Sequence, residues 1–342
     1  MIIPIHGTDA LIHDGEPLFG FFDGPLKVID RGAVRYLDPF GKPYGPLRRW
    51  ARFKQIQYFG GISSTFVFGC AMADLRYLAS VFFYIYDVGA RRLTARSFRV
   101  PLSLGLTMSD NPVSGESVYR KGDVEAKMSY EGSPRRKSLV VRLGSELELR
   151  ASMSEEACQP MSLCTRAGYD GWVYANKTAG LPVSGRLTWG GAEHDLEALG
   201  THGHHDFSCG YMRRETYWNW ACLSGLDAEG HALGLNVSCG VNETSYSENC
   251  AWLDGSLIRL GLARFVFDRA DVMKPWEVKS QDGAVDLRFT PLGLHEERMQ
   301  AGLVASNFRQ VFGYFEGEMV LSGRARRVNR IFGFVEDQYV KW

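Results

Sequence analysis

The segment Lys137-Ser-Leu-Val-Val-Arg-Leu-Gly-Ser-Glu-Leu-Glu-Leu-Arg-Ala-Ser-Met153 decides the fold class of this chain. Apolar and polar residues roughly alternate along it, which is typical of an antiparallel sheet that buries one face. Similar short runs, rich in β-branched and aromatic residues and bounded by turn formers, fill most of the sequence. No segment sustains a helical period over three turns. The sequence therefore predicts an all-β protein.

Strands are predicted in both halves of the chain. In the first half they are Phe53–Phe59, Ser64–Cys70, Tyr77–Asp87, Arg92–Arg99, Val124–Tyr130, Lys137–Leu143 and Leu147–Met153. In the second half they are Tyr217–Leu223, Ala232–Cys239, Leu257–Phe267, Glu277–Ser280, Val285–Phe289, Gln310–Leu321 and Arg327–Tyr339. Hairpin dipeptides such as Asp254-Gly255 separate several of these strands. Two runs of short strands favour two barrel-like or sandwich domains.

The length of 342 residues also favours two domains, because a single core usually stops growing at about 250–300 residues. The segment Ser154–Ala179, which contains Pro160, Gly168 and Gly171, has the least strand-like sequence. We therefore place the boundary near Gly180. Residues 1–180 are expected to form an N-terminal β-domain and residues 181–342 a C-terminal one.

Composition excludes several classes of partner. Lys+Arg and Asp+Glu are equal at 39 each, and no basic run is interleaved with aromatics, so no nucleic-acid partner is expected. The longest apolar run, Ala71–Tyr86, is too short and too charged to span a membrane. Seven cysteines without metal-type spacing indicate mostly buried, reduced thiols in a cytoplasmic protein. Nucleotide-binding and hydrolase motifs are absent, so no cofactor is predicted; the oligomeric state is left open.

The segment Arg213-Arg-Glu-Thr-Tyr-Trp-Asn-Trp-Ala221 is the first candidate for a binding site. In a strand, Thr216, Trp218 and Trp220 share one face, and Glu215, Tyr217 and Asn219 share the other. The tryptophans either pack in a core or form the wall of a ligand pocket. The Arg214 guanidinium is either solvated or anchors a carboxylate. The candidate ligand-binding residues are Trp218, Trp220, Arg214, Asn219, Trp189 and Tyr217.

The histidine-rich segment Gly200-Thr-His-Gly-His-His-Asp206 is interpreted as a loop with solvated or hydrogen-bonded histidines. No metal site is predicted there. If a metal were bound, His202, His204 and Asp206 would be the ligands, with zinc or iron the expected ion. Cys209 could then add a thiolate.

Four carboxylic acids are candidates for acid catalysis: Asp206, Glu215, Glu248 and Glu336. Protonation of an alkene requires a carboxyl group that burial keeps neutral near pH 7. Asp206 is preferred because it lies between the histidines and the tryptophans, and Glu248 is second. The alternative for each of them is a surface position or a hydrogen bond within a turn.

A set of short motifs in fixed order resembles a bacterial family known only as domain of unknown function 2804. The set comprises Gln159-Pro-Met-Ser-Leu-Cys164, Gly171-Trp-Val-Tyr174, Lys177, Ala179-Gly-Leu-Pro-Val183, Arg214–Ala221, Gly234-Leu-Asn236, Glu248-Asn249, Asp254-Gly255, Pro275-Trp276, Asp286-Leu-Arg-Phe289, Gln310-Val-Phe-Gly313 and Gly333-Phe-Val-Glu-Asp337. The resemblance extends from about Leu47 to the end of the chain. That family is similar to two-domain lipocalin-like proteins, which include carotenoid hydratases, tocopherol cyclase-like proteins and fungal polyene cyclases. The resemblance implies two calycin-type barrels packed together around an apolar pocket, and it implies no particular substrate.

Our leading hypothesis is a lipocalin-like protein that binds a hydrophobic small molecule, such as a polyene, an isoprenoid or a lipid. Cofactor-independent acid catalysis, as in a hydratase, cyclase or isomerase, is one form of this hypothesis. A non-catalytic carrier or sensor is the second, and a buried ionisable group is what distinguishes the two, because a pocket lined only by apolar side chains would exclude an enzyme. A carbohydrate-active β-protein is the third, and it predicts exposed tryptophan faces beside a pair of carboxylates.

Overall fold

The computed structural model describes residues 4–241, 244, 246–302 and 304–342. In chain order the elements are β1 (Ile12–His13), β2 (Glu16–Pro17), β3 (Gly20–Phe21), α1 (Pro46–Arg52), β4 (Phe53–Ile62), β5 (Phe66–Asp74), β6 (Leu78–Asp87), β7 (Arg92–Pro101), β8 (Leu106–Thr107), β9 (Gly115–Lys121), β10 (Val124–Gly132), β11 (Arg135–Leu143), β12 (Leu147–Ser154), β13 (Met161–Arg166), β14 (Trp172–Pro182), β15 (Ser184–Trp189), β16 (Ala192–Asp195), β17 (His202–Tyr211), β18 (Glu215–Leu226), β19 (Ala232–Cys239), β20 (Cys250–Leu253), β21 (Ser256–Arg259), β22 (Ala263–Val266), β23 (Trp276–Ser280), β24 (Val285–Ala301), β25 (Val304–Leu321) and β26 (Arg324–Lys341).

Antiparallel sheets account for almost all of the regular structure. Strand makes up 64% of the protein and helix 2%, which confirms the predicted all-β class. An eight-stranded sheet has the order β3-β13-β14-β17-β4-β5-β6-β7, and a seven-stranded sheet has the order β16-β15-β12-β11-β10-β9-β8. A nine-stranded sheet, β21-β20-β19-β18-β26-β25-β24-β23-β22, contains the C-terminal strands. A further small sheet pairs β1 with β2.

The seven-stranded sheet follows the alternation that the sequence predicts. Burial alternates residue by residue along β12, and Leu147, Leu149, Ala151 and Met153 face the core. The register between β11 and β12 pairs Leu139 with Ala151, and both side chains are buried. Both belong to the main hydrophobic core, which also contains side chains of the eight-stranded sheet.

The eight-stranded sheet includes strands that the sequence pattern did not predict. Ser154–Ala179 was expected to be the least strand-like segment, and that expectation is wrong, because β13 and most of β14 lie there. Buried residues occupy both faces of β14 from Trp172 to Leu181, so its sequence lacks the alternation of a half-exposed strand. The strands β15, β16 and β17, which follow Gly180, pair within the two N-terminal sheets. The domain boundary near Gly180 remains a prediction.

The nine-stranded sheet curls strongly. The single strand predicted at Leu257–Phe267 is wrong, because β21 and β22 lie there at opposite edges of the sheet. Only Leu260, Gly261 and Leu262 connect these edges, and three residues span little more than about 10 Å. The edges must therefore approach each other around a core that includes Trp276, Phe289 and Phe315.

The segment before α1 packs against the end of the eight-stranded sheet. Leu11, Phe22 and Leu26 form a separate core with Trp172 and Tyr211. No helix in the described residues is long and apolar enough to cross a membrane. Six of the seven cysteines are buried, which agrees with the prediction for their packing. The cytoplasmic location remains a prediction.

The two halves approach each other backbone to backbone at Gly180 and Gly234. A Cβ atom built on Gly234 would lie 2.5 Å from the carbonyl oxygen of Ala179, far inside van der Waals contact. Gly180 interrupts the register of β14 and has a φ of +81°, a conformation that L side chains rarely adopt. These two glycines therefore set the separation between β14 and β19.

We expect Gly234→Ala to lower the free energy of unfolding by about 2 kcal/mol, because the added methyl group forces these backbones apart. The measurement is urea unfolding followed by tryptophan fluorescence. Gly24→Ala is the matched control, because a Cβ atom there meets nothing within 4 Å. Equal stability of the two variants would contradict the close approach.

Candidate functional site

A cavity of about 230 Å³ lies between the eight-stranded and nine-stranded sheets. Cross-strand rows of side chains from the two sheets line it. In the eight-stranded sheet, the register aligns Lys177, Asp206, Tyr58 and Ala71 on four neighbouring strands, and all four line the cavity. The next row of the same sheet contributes Ser208, Ile56, Ala73 and Ser80.

The nine-stranded sheet supplies the opposite wall through three rows. Their cavity-lining members are Ser238, Trp220 and Glu336 in the first row, Trp218, Gln338, Phe308 and Glu297 in the second, and Thr216, Val340, Ser306 and Met299 in the third. The shared face predicted for Thr216, Trp218 and Trp220 is thereby confirmed. Trp220 connects the two walls, because its ring centroid lies 5.0 Å from Lys177 Nζ and 5.9 Å from the Tyr58 ring.

Lys177 is at the centre of the polar part of the cavity. Its Nζ donates to Asp206 Oδ2 at 2.9 Å and to Glu248 Oε1 at 2.8 Å. The side chains of Lys177 and Glu248 are almost fully buried, and that of Asp206 is 15% exposed. Ser208 Oγ donates to the second carboxylate oxygen of Asp206 at 2.8 Å. The Lys177 ammonium therefore pairs with two carboxyl groups in a poorly solvated site.

Glu336 adds a third carboxyl group from the opposite wall. It is 4% exposed and accepts hydrogen bonds from Trp218 Nε1 at 3.1 Å and from Gln310 Nε2 at 2.7 Å. No cation among the described residues lies within ion-pair distance of it. Burial raises the pKa of Glu336 to about 7, although the two hydrogen bonds oppose that shift. A large fraction of Glu336 is therefore protonated at neutral pH.

The balance between burial and charge explains why the cluster of Lys177, Asp206, Glu248 and Glu336 retains a proton. Burial raises the pKa of Asp206, and the negative charge of Glu248 adds to this effect, whereas Lys177 opposes it. Burial alone disfavours the Lys177 ammonium, but the charges of Asp206 and Glu248 outweigh burial and raise the pKa of Lys177. With all groups ionised, three carboxylates would face one ammonium in a medium that solvates charge poorly.

The rest of the cavity wall is apolar in the interior and charged at the entrance. Lining side chains at the apolar end are Ile56, Leu75, Leu78, Ala167, Val173, Met212, Val340 and Trp342. Arg99 and Glu297, which also line the cavity, form an ion pair at 3.1 Å, and the Arg99 side chain is 42% exposed. This pair therefore marks a solvent-facing rim of the cavity.

The sequence of this chain matches the model of the family described as "Domain of unknown function (DUF2804)" over residues 5–342. The chain belongs to this family. The match confirms the predicted resemblance and extends it to the segment before Leu47. The comparison with curated proteins found no match to this chain.

Solved structures show what fold this DUF2804 protein has. The structure of CghA with Sch210972 is 12% identical, covers 97% of this chain and 97% of its own, and superposes with a TM-score of 0.53. Kievitone hydratase from Nectria haematococca is 12% identical, with 83% of this chain and 88% of that chain covered and a TM-score of 0.49. At such identities only the fold is comparable. The predicted lipocalin-like fold is confirmed.

Four of the six candidate ligand-binding residues of this DUF2804 member lie outside the cavity. Tyr217 is 59% exposed, and Asn219 donates to Asp337 Oδ1 at 3.1 Å on the other face of β18. Arg214 donates to the backbone oxygen of Trp342 at 2.6 Å. Trp189 packs edge-on against Phe66, with ring centroids 5.9 Å apart. Among these six residues, the structure brings only Trp218 and Trp220 together at the cavity.

The histidines of this DUF2804 member occupy a strand. The loop interpretation of Gly200–Asp206 is wrong, because β17 begins at His202 and has neighbours on both sides. His204 is 2% exposed, neither ring nitrogen has a hydrogen-bond partner among the described residues, and burial lowers its pKa to about 3. Within the described part of the chain, no cluster of three or more His, Cys, Asp or Glu side chains is arranged to hold a metal ion.

The structure brings Asp206 and Glu248, two candidate acids from the sequence, together at Lys177. Sequence reasoning predicts neither this contact nor a role for Lys177, Tyr58 or Gln310. A signal for Lys177 was present, because it is the only charged residue in the strand Trp172–Pro182. A lone lysine in a buried strand requires a partner. Tyr58 and Gln310 carry no comparable signal, since their positions follow from strand register. Glu336 was among the candidate acids, but its burial depends on the opposite sheet.

We expect Lys177→Met to lower the free energy of unfolding by about 3–5 kcal/mol at pH 8, because it leaves two buried carboxylates without their cation. The loss should be smaller at pH 5, because burial raises the pKa of Asp206 and this carboxyl group then protonates more readily. Lys127→Met is the control, since Lys127 pairs with Glu116 at the surface, where ion pairs contribute less than about 1 kcal/mol. A loss as small as that of the control would mean that the cluster is not ionised.

Glu336 should also make stability depend on pH. Its pKa of about 7 in the folded protein lies above its ordinary value of 4.5, so the folded state binds this proton more tightly than the unfolded state. This contribution is therefore fully present below pH 4.5 and decreases by about 3 kcal/mol as the pH rises to 7. In Glu336→Gln that part of the decrease should vanish. Chemical unfolding at pH 5 and pH 8 measures it, and parallel pH profiles for the two proteins would contradict the shifted pKa.

Proposed function

We propose that this protein binds a mainly apolar small molecule in the cavity between its sheets and transfers protons to and from it. The observation that carries the proposal is the carboxyl group of Glu336, which is buried in the cavity wall and has a pKa raised to about 7. A neutral carboxylic acid in an apolar pocket is a suitable general acid. An apolar-only lining would have excluded catalysis, and the ionisable side chains that line the cavity keep the enzyme hypothesis in place.

Glu336 is a better proton donor than Asp206, the acid preferred from the sequence. Asp206 is in direct contact with the Lys177 ammonium at 2.9 Å, which favours its charged form. Among the described residues, the hydrogen-bond partners of Glu336 are the neutral donors Trp218 and Gln310. We therefore propose Glu336 as the acid, and Asp206, across the cavity, as the group that accepts a proton.

The aromatic side chains have a role that complements the acid. Protonation of an alkene or a polyene leaves a carbocation, and the faces of Trp218 and Trp220 can stabilise positive charge. The carboxyl group of Asp206, paired with Lys177, faces the tryptophans from the opposite wall. A hydratase would admit water to this cation, whereas a cyclase or an isomerase would exclude it.

The proposed substrate is thus an unsaturated, mainly apolar molecule such as a polyene or an isoprenoid. The apolar end of the cavity receives its body, and the cluster of Lys177, Asp206, Glu248 and Glu336 faces its reactive part. A sugar is disfavoured, because the Trp220 ring is 9% exposed and offers no open platform.

Binding is tested first with retinol, a conjugated polyene that quenches tryptophan fluorescence. Wild-type protein should bind retinol at micromolar concentration, and Ala73→Phe, which fills the cavity, should weaken binding at least about tenfold. Ala198→Phe, at an exposed position, is the matched control. Equal binding by both variants would place the ligand elsewhere.

Catalysis is tested on the natural ligand. Native mass spectrometry of the purified protein and extraction of bound lipid identify the ligand, and deuterium uptake from D2O into its C–H bonds reports proton transfer. Glu336→Gln should retain the ligand and reduce deuterium uptake at least about a hundredfold. Asp206→Asn should reduce it too. Uptake at the wild-type rate in Glu336→Gln would remove Glu336 from the acid role, and binding without uptake in wild type would favour a carrier.

A further inference from the structure

A second cleft, of about 440 Å³, lies beside Phe53 at the start of β4. The turn at Arg31 and Gly32, the helix α1 and the residues Phe53, Arg76 and Tyr211 line it. The function proposed above uses none of these residues. The cleft also involves the segment before Leu47, for which the sequence suggested no role.

The cleft is rich in cations. Arg31, Arg49 and Arg76 line it, and none of the described residues that line it carries a carboxylate. The guanidinium carbon of Arg31 lies 4.7 Å from the centroid of the Phe53 ring, and that of Arg76 lies 5.0 Å from the same centroid. One aromatic ring therefore holds two guanidinium groups at the same cleft.

Three acidic residues, Asp30, Asp74 and Asp170, are engaged with other groups. Asp74 pairs with Arg76 at 3.0 Å, and Asp170 pairs with Arg52 at 2.9 Å. Asp30 accepts hydrogen bonds from the backbone N–H groups of residues 32 and 33. In the described part of the chain, no carboxylate lies within ion-pair distance of Arg31 or Arg49. Within the described residues, the cleft thus presents two arginine charges, those of Arg31 and Arg49, without a carboxylate partner.

Arg49 is held in a fixed orientation. Its Nη2 donates to the carbonyl oxygens of Gly32 at 3.3 Å and Val34 at 2.9 Å. These bonds use one nitrogen of the guanidinium fork, and a fixed fork is well suited to bidentate contact with an oxyanion.

The floor of the cleft is flat and aromatic. Tyr211 stacks on Tyr36 with ring centroids 3.9 Å apart and contacts Phe53 edge-on at 5.6 Å. Trp50 of α1 is 42% exposed beside it. Such rings favour a planar or apolar group next to the anion.

We propose that this cleft binds a ligand through a phosphate or carboxylate group held by Arg31 and Arg49, with an apolar or aromatic part against Tyr211 and Trp50. Two sources supply such chemistry, a soluble organic anion and an anionic lipid headgroup. The second source is relevant because α1 buries no residue, and Leu47 and Phe40 nearby are 76% and 87% exposed.

The probe for the first source is phenyl phosphate, titrated into the protein by calorimetry, with phenol and inorganic phosphate as partial probes. Arg31→Gln should weaken phenyl phosphate binding about tenfold or more. Arg31→Lys should restore part of it. Arg48→Gln is the matched control, because Arg48 stacks on Tyr44 at 4.1 Å and does not line the cleft. Rising salt should weaken binding.

The probe for the second source is a vesicle of phosphatidylcholine with phosphatidic acid, tested by co-sedimentation. Sedimentation that Arg31→Gln abolishes, and Arg48→Gln does not, would assign the anion to a lipid. Binding of phenyl phosphate alone would assign it to a soluble ligand. The proposal fails if neither probe binds, or if Arg31→Gln and Arg31→Lys both bind like wild type. Glu336→Gln should not change either result, so failure here is distinct from failure of the proposed function.

Discussion

Burial of one ammonium among three carboxyl groups is the constraint on which the site depends. Lys177 contacts Asp206 and Glu248 directly, and Glu336 lies on the facing wall. A protein that buries this cluster loses the hydration of every charged member, and one cation offsets only part of that loss. The least unfavourable solution is to keep a carboxyl group protonated. The same imbalance that weakens the fold therefore generates an acid at neutral pH.

Strand register makes this arrangement possible. Lys177, Asp206 and Tyr58 lie on three neighbouring strands, so pleated geometry alone places them side by side on one face. Trp220 and Glu336 are cross-strand partners in the facing sheet in the same way. Backbone contact at Gly180 and Gly234 then fixes how closely the sheets approach. Residues that are distant in sequence thus converge without a local sequence motif, so the sequence of each strand alone does not mark the site.

Strand geometry also explains which elements of the structure the sequence could predict and which it could not. Alternation predicted β11 and β12, and it predicted the shared face of Thr216, Trp218 and Trp220. It failed for β13 and β14, because a strand buried on both faces has no alternation. It also failed for His202–His205, where polar residues in a central strand resemble a loop. Lys177 could have been found as the one charge in its strand, whereas the role of Glu336 depends on the opposite sheet and is not encoded locally.

The division of the site between two sheets couples binding to acidity. Lys177, Asp206 and Tyr58 belong to one wall, and Glu336, Trp218 and Trp220 belong to the other. An apolar ligand that fills the space between them displaces water from Glu336, which disfavours its carboxylate further and holds its proton more firmly. The ion pair of Lys177 with Asp206 lies within one wall, whereas its pair with Glu248, just before β20, joins that wall to the nine-stranded sheet. In the proposed function, an occupied cavity would thus have Glu336 as a proton donor on one wall and Asp206, paired with Lys177, as the group that accepts a proton on the other.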